Sequence, residues 1–151
     1  MESSGPVGAP PTPGGPSRSS ANRPAEHPGD ASAPPIVLLV EDDPDIAATI
    51  RSGLQAVGYQ TVWALDGQRA LARLREVNAA MVLLDWRLPG DLCGAALIER
   101  LRASCSYRLP VVVISGDPAA LAEAVDAGCE DYLPKPFLLE DLIHVVDEHS
   151  R

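Results

Sequence analysis

The chain has 151 residues, of which 46% are hydrophobic and 22% are charged, and its formal net charge is −9 at pH 7. This length suits one domain with a real hydrophobic core. No apolar run approaches the roughly 18 residues that a membrane-spanning helix needs, and the acidic balance argues against non-specific binding to nucleic-acid phosphates. The three cysteines lie far apart with no CxxC pair, so we expect reduced thiols in a cytoplasmic protein.

The first 35 residues differ in composition from the rest of the chain. They contain nine prolines, five glycines and six serines, and their only large apolar side chains are Met1 and Val7. Such a stretch cannot bury enough surface to offset the entropy of ordering it. We therefore predict a disordered tail over residues 1–35 and a folded domain over residues 36–151. The functional alternative for this tail is a tether or a partner-binding polyproline segment.

From Ile36 onward, apolar strands alternate with amphipathic helices. The continuous run Ile36–Glu41 (IVLLVE) is typical of a strand buried on both faces. Asp43 and Pro44 then form a helix start, and Gly58 ends that helix. The apolar positions of this first helix recur at helical spacing: Ile46, Ile50, Leu54 and Val57.

The middle of the chain repeats this alternation. A short strand is predicted near Gln60–Ala64, followed by a helix that begins at an Asp66 cap. Met81–Asp85 (MVLLD) is a second buried run and ends at the turn signal Pro89-Gly90. The next helix carries Leu97, Ile98 and Leu101.

The last third supplies two more strands and two more helices. Val111–Ser115 (VVVIS) is a third buried run, and Asp117-Pro118 repeats the helix-start pair. Asp131–Pro134 is a brief final strand. The apolar positions of the last two helices are Leu121, Ala124 and Val125, then Leu138, Leu142, Val145 and Val146.

Five strands that alternate with five helices predict an α/β fold with a parallel sheet covered on both faces, a three-layer arrangement. In such sheets, ligands bind outside the carboxyl ends of the strands. The polar residues at those ends are Glu41, Asp42, Asp43, Asp85, Ser115 and Lys135. Clustered carboxylates repel one another unless a cation joins them. Oxygen ligands without a nearby His or Cys suit Mg²⁺.

This set of residue types matches the needs of phosphoryl transfer. With Mg²⁺ held by Asp42 and Asp85, a free oxygen of Asp85 is placed to attack phosphorus, and an aspartyl phosphate is an established covalent intermediate. Lys135 would add a second cation, and the Ser115 hydroxyl would donate a hydrogen bond.

Simpler explanations apply to some of these residues. Asp43 and Asp45 are explained by a helix cap and by the helix dipole. Asp85 closes an apolar strand, so a cap does not explain it. Lys135 could be an ordinary surface lysine, but it is the only lysine of the chain and has a proline on each side.

These motifs together resemble the receiver domain of two-component response regulators, over Ile36 to about Ser150. The matching segments are Leu39–Asp43 (LVEDD), Leu83–Gly90 (LLDWRLPG), Val113–Gly116 (VISG) and Asp131–Phe137 (DYLPKPF). The resemblance implies a flavodoxin-like, doubly wound sheet with strand order 2-1-3-4-5. It also implies that Asp85 accepts a phosphoryl group from a histidine kinase or a histidine phosphotransfer protein.

The resemblance assigns the remaining roles residue by residue. Glu41 and Asp42 would be the acidic pair, and the backbone carbonyl of Arg87 would complete the Mg²⁺ site with Asp85. A second group would respond to the phosphoryl group: the switch hydroxyl Ser115, the phosphate-binding Lys135 and the aromatic Tyr132, whose rotation reports phosphorylation.

The sequence departs from the family pattern in two places. The loop after Pro89-Gly90 is slightly longer than usual, and the segment between Ser115 and Lys135 is slightly shorter. The shorter segment bears on the output surface more than on the phosphorylation chemistry. Only 16 residues follow Lys135, so we expect a stand-alone receiver that acts on an unidentified downstream protein. A receiver separated from a hybrid histidine kinase is the alternative.

Two other functional classes remain open. A Mg²⁺-dependent phosphatase with an aspartyl intermediate would need an acid two residues after Asp85, where this chain has Arg87. A phosphorylation-independent interaction module would not need the complete acceptor set. We therefore expect a signalling phosphoacceptor rather than an enzyme, with only self-catalysed phosphoryl acceptance and slow autodephosphorylation. We expect neither nucleic acid nor membrane as a partner.

Overall fold

The computed structural model describes residues 33–150. Nearly all of the predicted tail therefore lies outside the described residues. The strands are β1 (Ile36–Val40), β2 (Gln60–Ala64), β3 (Met81–Asp85), β4 (Val111–Ser115) and β5 (Asp131–Pro134). The helices are α1 (Pro44–Ala56), α2 (Gly67–Glu76), α3 (Gly94–Ala103), α4 (Pro118–Asp126) and α5 (Leu139–His149). Within the described part, no helix has the length and apolar character needed to cross a membrane.

The five strands form one parallel sheet in the order β2-β1-β3-β4-β5. The α/β class, the parallel sheet and the strand order are thus as expected. The order reverses at β1, because the chain first adds β2 on one side of it and then β3 on the other. The carboxyl ends of β1 and β3 flank this switch point, where α/β sheets bind their ligands.

The central strands are apolar throughout because both faces of the sheet are covered. Val37 and Leu39 of β1 pack with α1 and α5, whereas Leu38 and Val40 pack on the opposite side with α2, α3 and α4. All four side chains are fully buried. Strand side chains alternate between faces, and a strand enclosed by helices on both sides cannot place a polar residue before its end. The polar residues are therefore confined to the strand ends.

Three of the helices begin at the N-cap residues that the sequence predicts. The side chains of Asp43, Asp66 and Asp117 each accept a hydrogen bond from a backbone N–H of the first turn. Gly67 directly follows one of these caps, and a close backbone contact leaves no room for a side chain at this position. A Cβ atom at this position would lie 2.2 Å from the carbonyl oxygen of Leu92.

Three apolar residues that were expected on buried helix faces are exposed instead. Val57 is the C-cap of α1, Leu138 precedes α5, and Val125 lies on the outer side of α4; they are 49%, 61% and 54% exposed. The first two lie beyond the ends of their helices, where helical periodicity no longer sets the direction of a side chain. The apolar stripe of α4 is narrower than the sequence pattern suggests, because Ala120 and Ala124 are its buried residues.

Candidate functional site

Three carboxylates meet at the carboxyl ends of β1 and β3. Glu41 and Asp42 follow β1, and Asp85 is the last residue of β3. One oxygen from each of these side chains lies within 4.8 Å of the others. Glu41 and Asp85 are 1% and 7% exposed, whereas Asp42 is open to solvent. The structure therefore brings together the acidic residues that the sequence analysis selected.

The backbone around Glu41 is held from several directions. Its N–H donates to the carbonyl oxygen of Ala64 at 3.1 Å, and its own carbonyl oxygen accepts from the indole N–H of Trp63 at 2.8 Å. Its side-chain Oε2 accepts from the backbone N–H of Asp43 at 3.2 Å. These contacts explain why a carboxylate can lie so deeply buried after an apolar strand. The contribution of Trp63 was not foreseen from the sequence.

Lys135 reaches the acidic cluster from the loop after β5. Its backbone N–H donates to the carbonyl oxygen of Ser115 at 2.9 Å, which continues the pairing of β4 with β5. Its Nζ lies 3.2 Å from Glu41 Oε1 and 3.7 Å from Asp85 Oδ2. Lys135 is therefore within reach of both buried carboxylates, and Glu41 is its nearer partner.

The buried carboxylates share one ammonium, and their pKa values reflect this shortage of positive charge. Burial raises the pKa of Glu41 to about 7, and the neighbouring Asp85 carboxylate adds to the rise, while Lys135 opposes it. Burial likewise raises the pKa of Asp85, against the effect of Lys135. Desolvation and like charge both disfavour an ionised carboxylate. The site therefore favours any ligand that supplies more positive charge.

This donor set suits a small divalent cation. Its members are all carboxylates, two of them are held rigidly by the sheet, and no described His or Cys belongs to the cluster. Hard cations such as Mg²⁺ prefer oxygen ligands. Three carboxylates against one ammonium leave an excess of negative charge that such an ion would neutralise.

The two neighbouring loops direct backbone groups back toward the strand ends. The backbone N–H of Arg87 donates to Asp85 Oδ1 at 3.2 Å. The backbone N–H of Asp117 donates to Ser115 Oγ at 3.1 Å. Because this bond uses the Ser115 hydroxyl as an acceptor, its O–H can still donate to another group. Ser115 is 3% exposed at the end of the strand beside β3.

An ion pair joins these two loops above the site. Arg87 lies two residues after Asp85, Asp117 lies two residues after Ser115, and their side chains form a salt bridge. This ion pair was not predicted from the sequence. A signal for it was present, however, because Arg87 and Asp117 have opposite charges and each lies two residues after the end of its strand, and the resemblance places these two strands side by side.

Tyr132, Trp86 and His149 do not belong to the carboxylate cluster. Tyr132 projects from the edge strand β5 and is 43% exposed, so it is on the surface in this structure. Trp86 is buried, and its indole N–H donates to Glu123 Oε1 at 3.0 Å. His149, which the sequence analysis gave no role, pairs with Asp131 at 3.0 Å near the opposite end of the sheet.

The chain belongs to the response regulator receiver family. The family model described as response regulator receiver domain matches residues 37–147. Among curated proteins, the chain is 36% identical to the response regulator RppA of Synechocystis sp., over 71% of this chain and 47% of RppA. It is 35% identical to the transcriptional regulatory protein PrrA of Mycobacterium leprae, over 72% of this chain and 47% of PrrA. The chain thus spans about half the length of these curated relatives.

Solved structures show the same fold. The chemotaxis protein CheY4 of Vibrio cholerae is 26% identical with a TM-score of 0.71, and the match covers 78% of this chain and 99% of CheY4. The receiver domain of the sensor histidine kinase PA1611 from Pseudomonas aeruginosa is 28% identical with a TM-score of 0.71, covering 78% of this chain and 98% of that one. The PA1611 receiver was solved with a magnesium ion coordinated in its active site cleft. The protein is therefore a two-component receiver domain of the flavodoxin-like type.

Proposed function

We propose that this receiver domain is a phosphoacceptor that takes a phosphoryl group on Asp85 from a histidine kinase or a histidine phosphotransfer protein. One observation carries the proposal. The Asp85 carboxylate is buried at the topological switch point, next to two further carboxylates and 3.7 Å from the ammonium of Lys135. A structural ion pair would need only one carboxylate for one ammonium, so the surplus negative charge argues for a ligand.

In the proposed transfer, an oxygen of Asp85 forms a bond to the phosphorus of phosphohistidine. The N–P bond of the donor breaks, and the histidine nitrogen keeps that electron pair and takes up a proton. Lys135, already within reach of Asp85, neutralises charge on the transferred group, and the Ser115 hydroxyl donates a hydrogen bond to it. These three residues lie at or directly after the ends of β3, β4 and β5, so the sheet holds them in place before the donor binds.

Mg²⁺ is the proposed cofactor, held by Asp42 and Asp85, with Glu41 and the backbone carbonyl of Arg87 completing the site. When bound, it would offset the charge of the carboxylates and of the phosphoryl oxygens. The oxygen-only donor set supports this choice, as does the magnesium ion of the PA1611 receiver. None of the proposed ligands is a thiolate or an imidazole, the side chains that softer metal ions prefer.

Phosphorylation is proposed to bias an equilibrium between two arrangements of the α4, β5 and α5 face. Ser115 would move toward the phosphoryl group, and Tyr132 would rotate inward from its exposed position. The downstream partner is proposed to be a protein that distinguishes these arrangements. A cytoplasmic location is proposed as well, because the three cysteines are all free thiols, which fits a reducing compartment.

The direct test is phosphorylation by a small donor. The protein is incubated with phosphoramidate and Mg²⁺, and its intact mass is measured. We expect the mass of one added phosphoryl group in the wild type and in the control Asp91→Asn, which alters an exposed aspartate in the loop after β3. We expect no addition in Asp85→Asn and little when a chelator removes Mg²⁺. A wild-type protein that gains no mass, or a phosphorylated Asp85→Asn variant, would contradict the proposal.

A further inference from the structure

A groove lies along the outer edge of β2, and none of its lining residues belongs to the acidic cluster. Its volume is about 410 Å³, and we name it the edge groove; it is lined by Trp63, Leu65, Arg69, Ala72, Arg73 and Glu76. Among residues 33–150, β2 is an edge strand of the sheet, and no strand of this part of the chain covers its outer side. Sheet edges are commonly protected by a covering segment or by charge. The edge groove combines apolar surface with two arginines.

The floor of the edge groove is a rigid aromatic surface. Trp63 is held by its indole N–H, which donates to the Glu41 carbonyl oxygen at 2.8 Å. The guanidinium of Arg51 lies 5.9 Å from the centre of its ring. Trp63 is only partly buried, and the adjacent Leu65 is 38% exposed. A fixed indole beside an exposed leucine suits an extended, proline-containing peptide, because aromatic grooves bind preformed polyproline helices at little entropic cost.

The rim of the edge groove is positively charged in a strongly acidic protein. The side chains of Arg69 and Arg73 lie one helical turn apart and are 64% and 51% exposed. Each pairs with an acidic neighbour three residues away, Asp66 or Glu76. Such exposed pairs contribute little stability, and a guanidinium has several N–H donors. Both arginines can therefore also bind carboxylates of a docked segment.

The chain upstream of β1 leaves the domain beside this groove. The carbonyl oxygen of Pro35 accepts a hydrogen bond from the backbone N–H of Gln60 at 3.0 Å, so residues before Ile36 emerge next to the start of β2. Trp63 is three residues further along β2, a distance of about 10 Å. The eleven residues from Pro24 to Pro34 could extend about 34 Å in a polyproline helix, which is ample to reach the groove and return.

This upstream segment has the composition that the groove would select. Residues 24–30 read PAEHPGD, with prolines at 24 and 28 and carboxylates at Glu26 and Asp30. The prolines match the aromatic floor and the carboxylates match the arginine rim. Tethering also raises the local concentration of the segment, to the millimolar range for a short flexible linker. A weak intrinsic affinity is therefore enough for binding.

We propose that residues 24–30 of the chain itself dock into the edge groove, with Glu26 and Asp30 against Arg69 and Arg73 and a proline on Trp63. This is an intrachain docking site, and it does not depend on phosphorylation of Asp85. Because Trp63 also holds the backbone of Glu41, the docked segment contacts a residue that supports the acidic site.

The test uses the full chain labelled with 5-fluorotryptophan. The protein has two tryptophans, so its ¹⁹F NMR spectrum has two resonances, and Trp86→Phe identifies the one from Trp63. We compare the wild type with the double variant Glu26→Lys/Asp30→Lys in low salt. The control is Glu2→Lys, which makes the same type of substitution, with half of the charge change, far from the proposed segment. Acrylamide quenching of Trp63 is measured in the Trp86→Phe background.

Docking predicts that the double variant shifts the Trp63 resonance and raises its quenching constant about twofold, whereas Glu2→Lys does neither. Combining the double variant with Arg69→Glu/Arg73→Glu should restore the wild-type resonance and quenching, because the charges are then exchanged. A Trp63 signal unchanged by Glu26→Lys/Asp30→Lys would overturn the proposal. A shift that grows with protein concentration would also overturn it, because the segment would then come from a second copy.

Discussion

Raising the pH should destabilise the metal-free protein through Glu41. The folded environment raises the pKa of this residue from 4.5 to about 7, mainly by burial. The folded state therefore holds a proton that the unfolded chain has released in this range, so the free energy of unfolding falls as the pH rises. The contribution of Glu41 is complete below pH 4.5 and is lost by about pH 7.

The size of the effect follows from the shift. One pKa unit corresponds to about 1.4 kcal/mol, so a change from 4.5 to about 7 corresponds to a loss of up to about 3 kcal/mol. Asp85 changes stability in the same direction, because its pKa is raised too. For a domain of this size, a loss of this order is a substantial fraction of the typical 5–15 kcal/mol total stability.

The assay is urea unfolding of the full chain at several pH values between 5 and 8, with a chelator present. Glu41→Gln removes the titrating group, and Glu99→Gln on the exposed side of α3 is the matched control. The stability of the wild type relative to Glu41→Gln should fall by about 2–3 kcal/mol across this range. The Glu99→Gln profile should follow the wild type. Parallel stability profiles for the wild type and Glu41→Gln would contradict this prediction.

Three further changes test the loops around the site. Arg87→Ala should shorten the lifetime of the phosphorylated protein about two- to fivefold, because it removes the exposed ion pair with Asp117, which contributes up to about 1 kcal/mol. The decay of the phosphorylated mass with time measures this lifetime, and an unchanged lifetime would contradict the prediction. Asp66→Ala should lower the free energy of unfolding by about 1 kcal/mol, because the α2 cap is lost, whereas Asp66→Asn should lose much less in the same urea titration. Gly67→Ala should cost about 1–3 kcal/mol, because its Cβ would meet the Leu92 carbonyl oxygen; a neutral result would show that this loop yields freely.

The sequence was most informative where both faces of an element are buried. Leu83 and Val112 lie in apolar runs whose lengths match their strands, because a buried strand has no polar position until it ends. That same rule located Asp85 and Ser115 as the first polar residues at the strand ends. The Asp-Pro pairs located the starts of α1 and α4, because capping depends only on neighbouring residues.

Contacts between segments that are distant in the sequence could not be predicted from local sequence patterns. The nearer partner of Lys135 proved to be Glu41 rather than Asp85, which depends on the path of the loop after β5. The hydrogen bond from Trp63 to the Glu41 carbonyl oxygen depends on the register of β1 with β2. Neither register nor loop path is encoded in the local pattern of one segment. Composition and spacing could therefore name the residues of the site but not the contacts among them.

The phosphoacceptor role of Asp85 is tested most directly by locating the phosphoryl group on the chain. Protein treated with phosphoramidate and Mg²⁺ is reduced with borohydride, which converts an aspartyl phosphate to homoserine, and its peptides are sequenced by tandem mass spectrometry. We expect homoserine at position 85, with Glu41, Asp42 and Asp43 unchanged. Homoserine at position 42 or 43, or aspartate throughout, would contradict it.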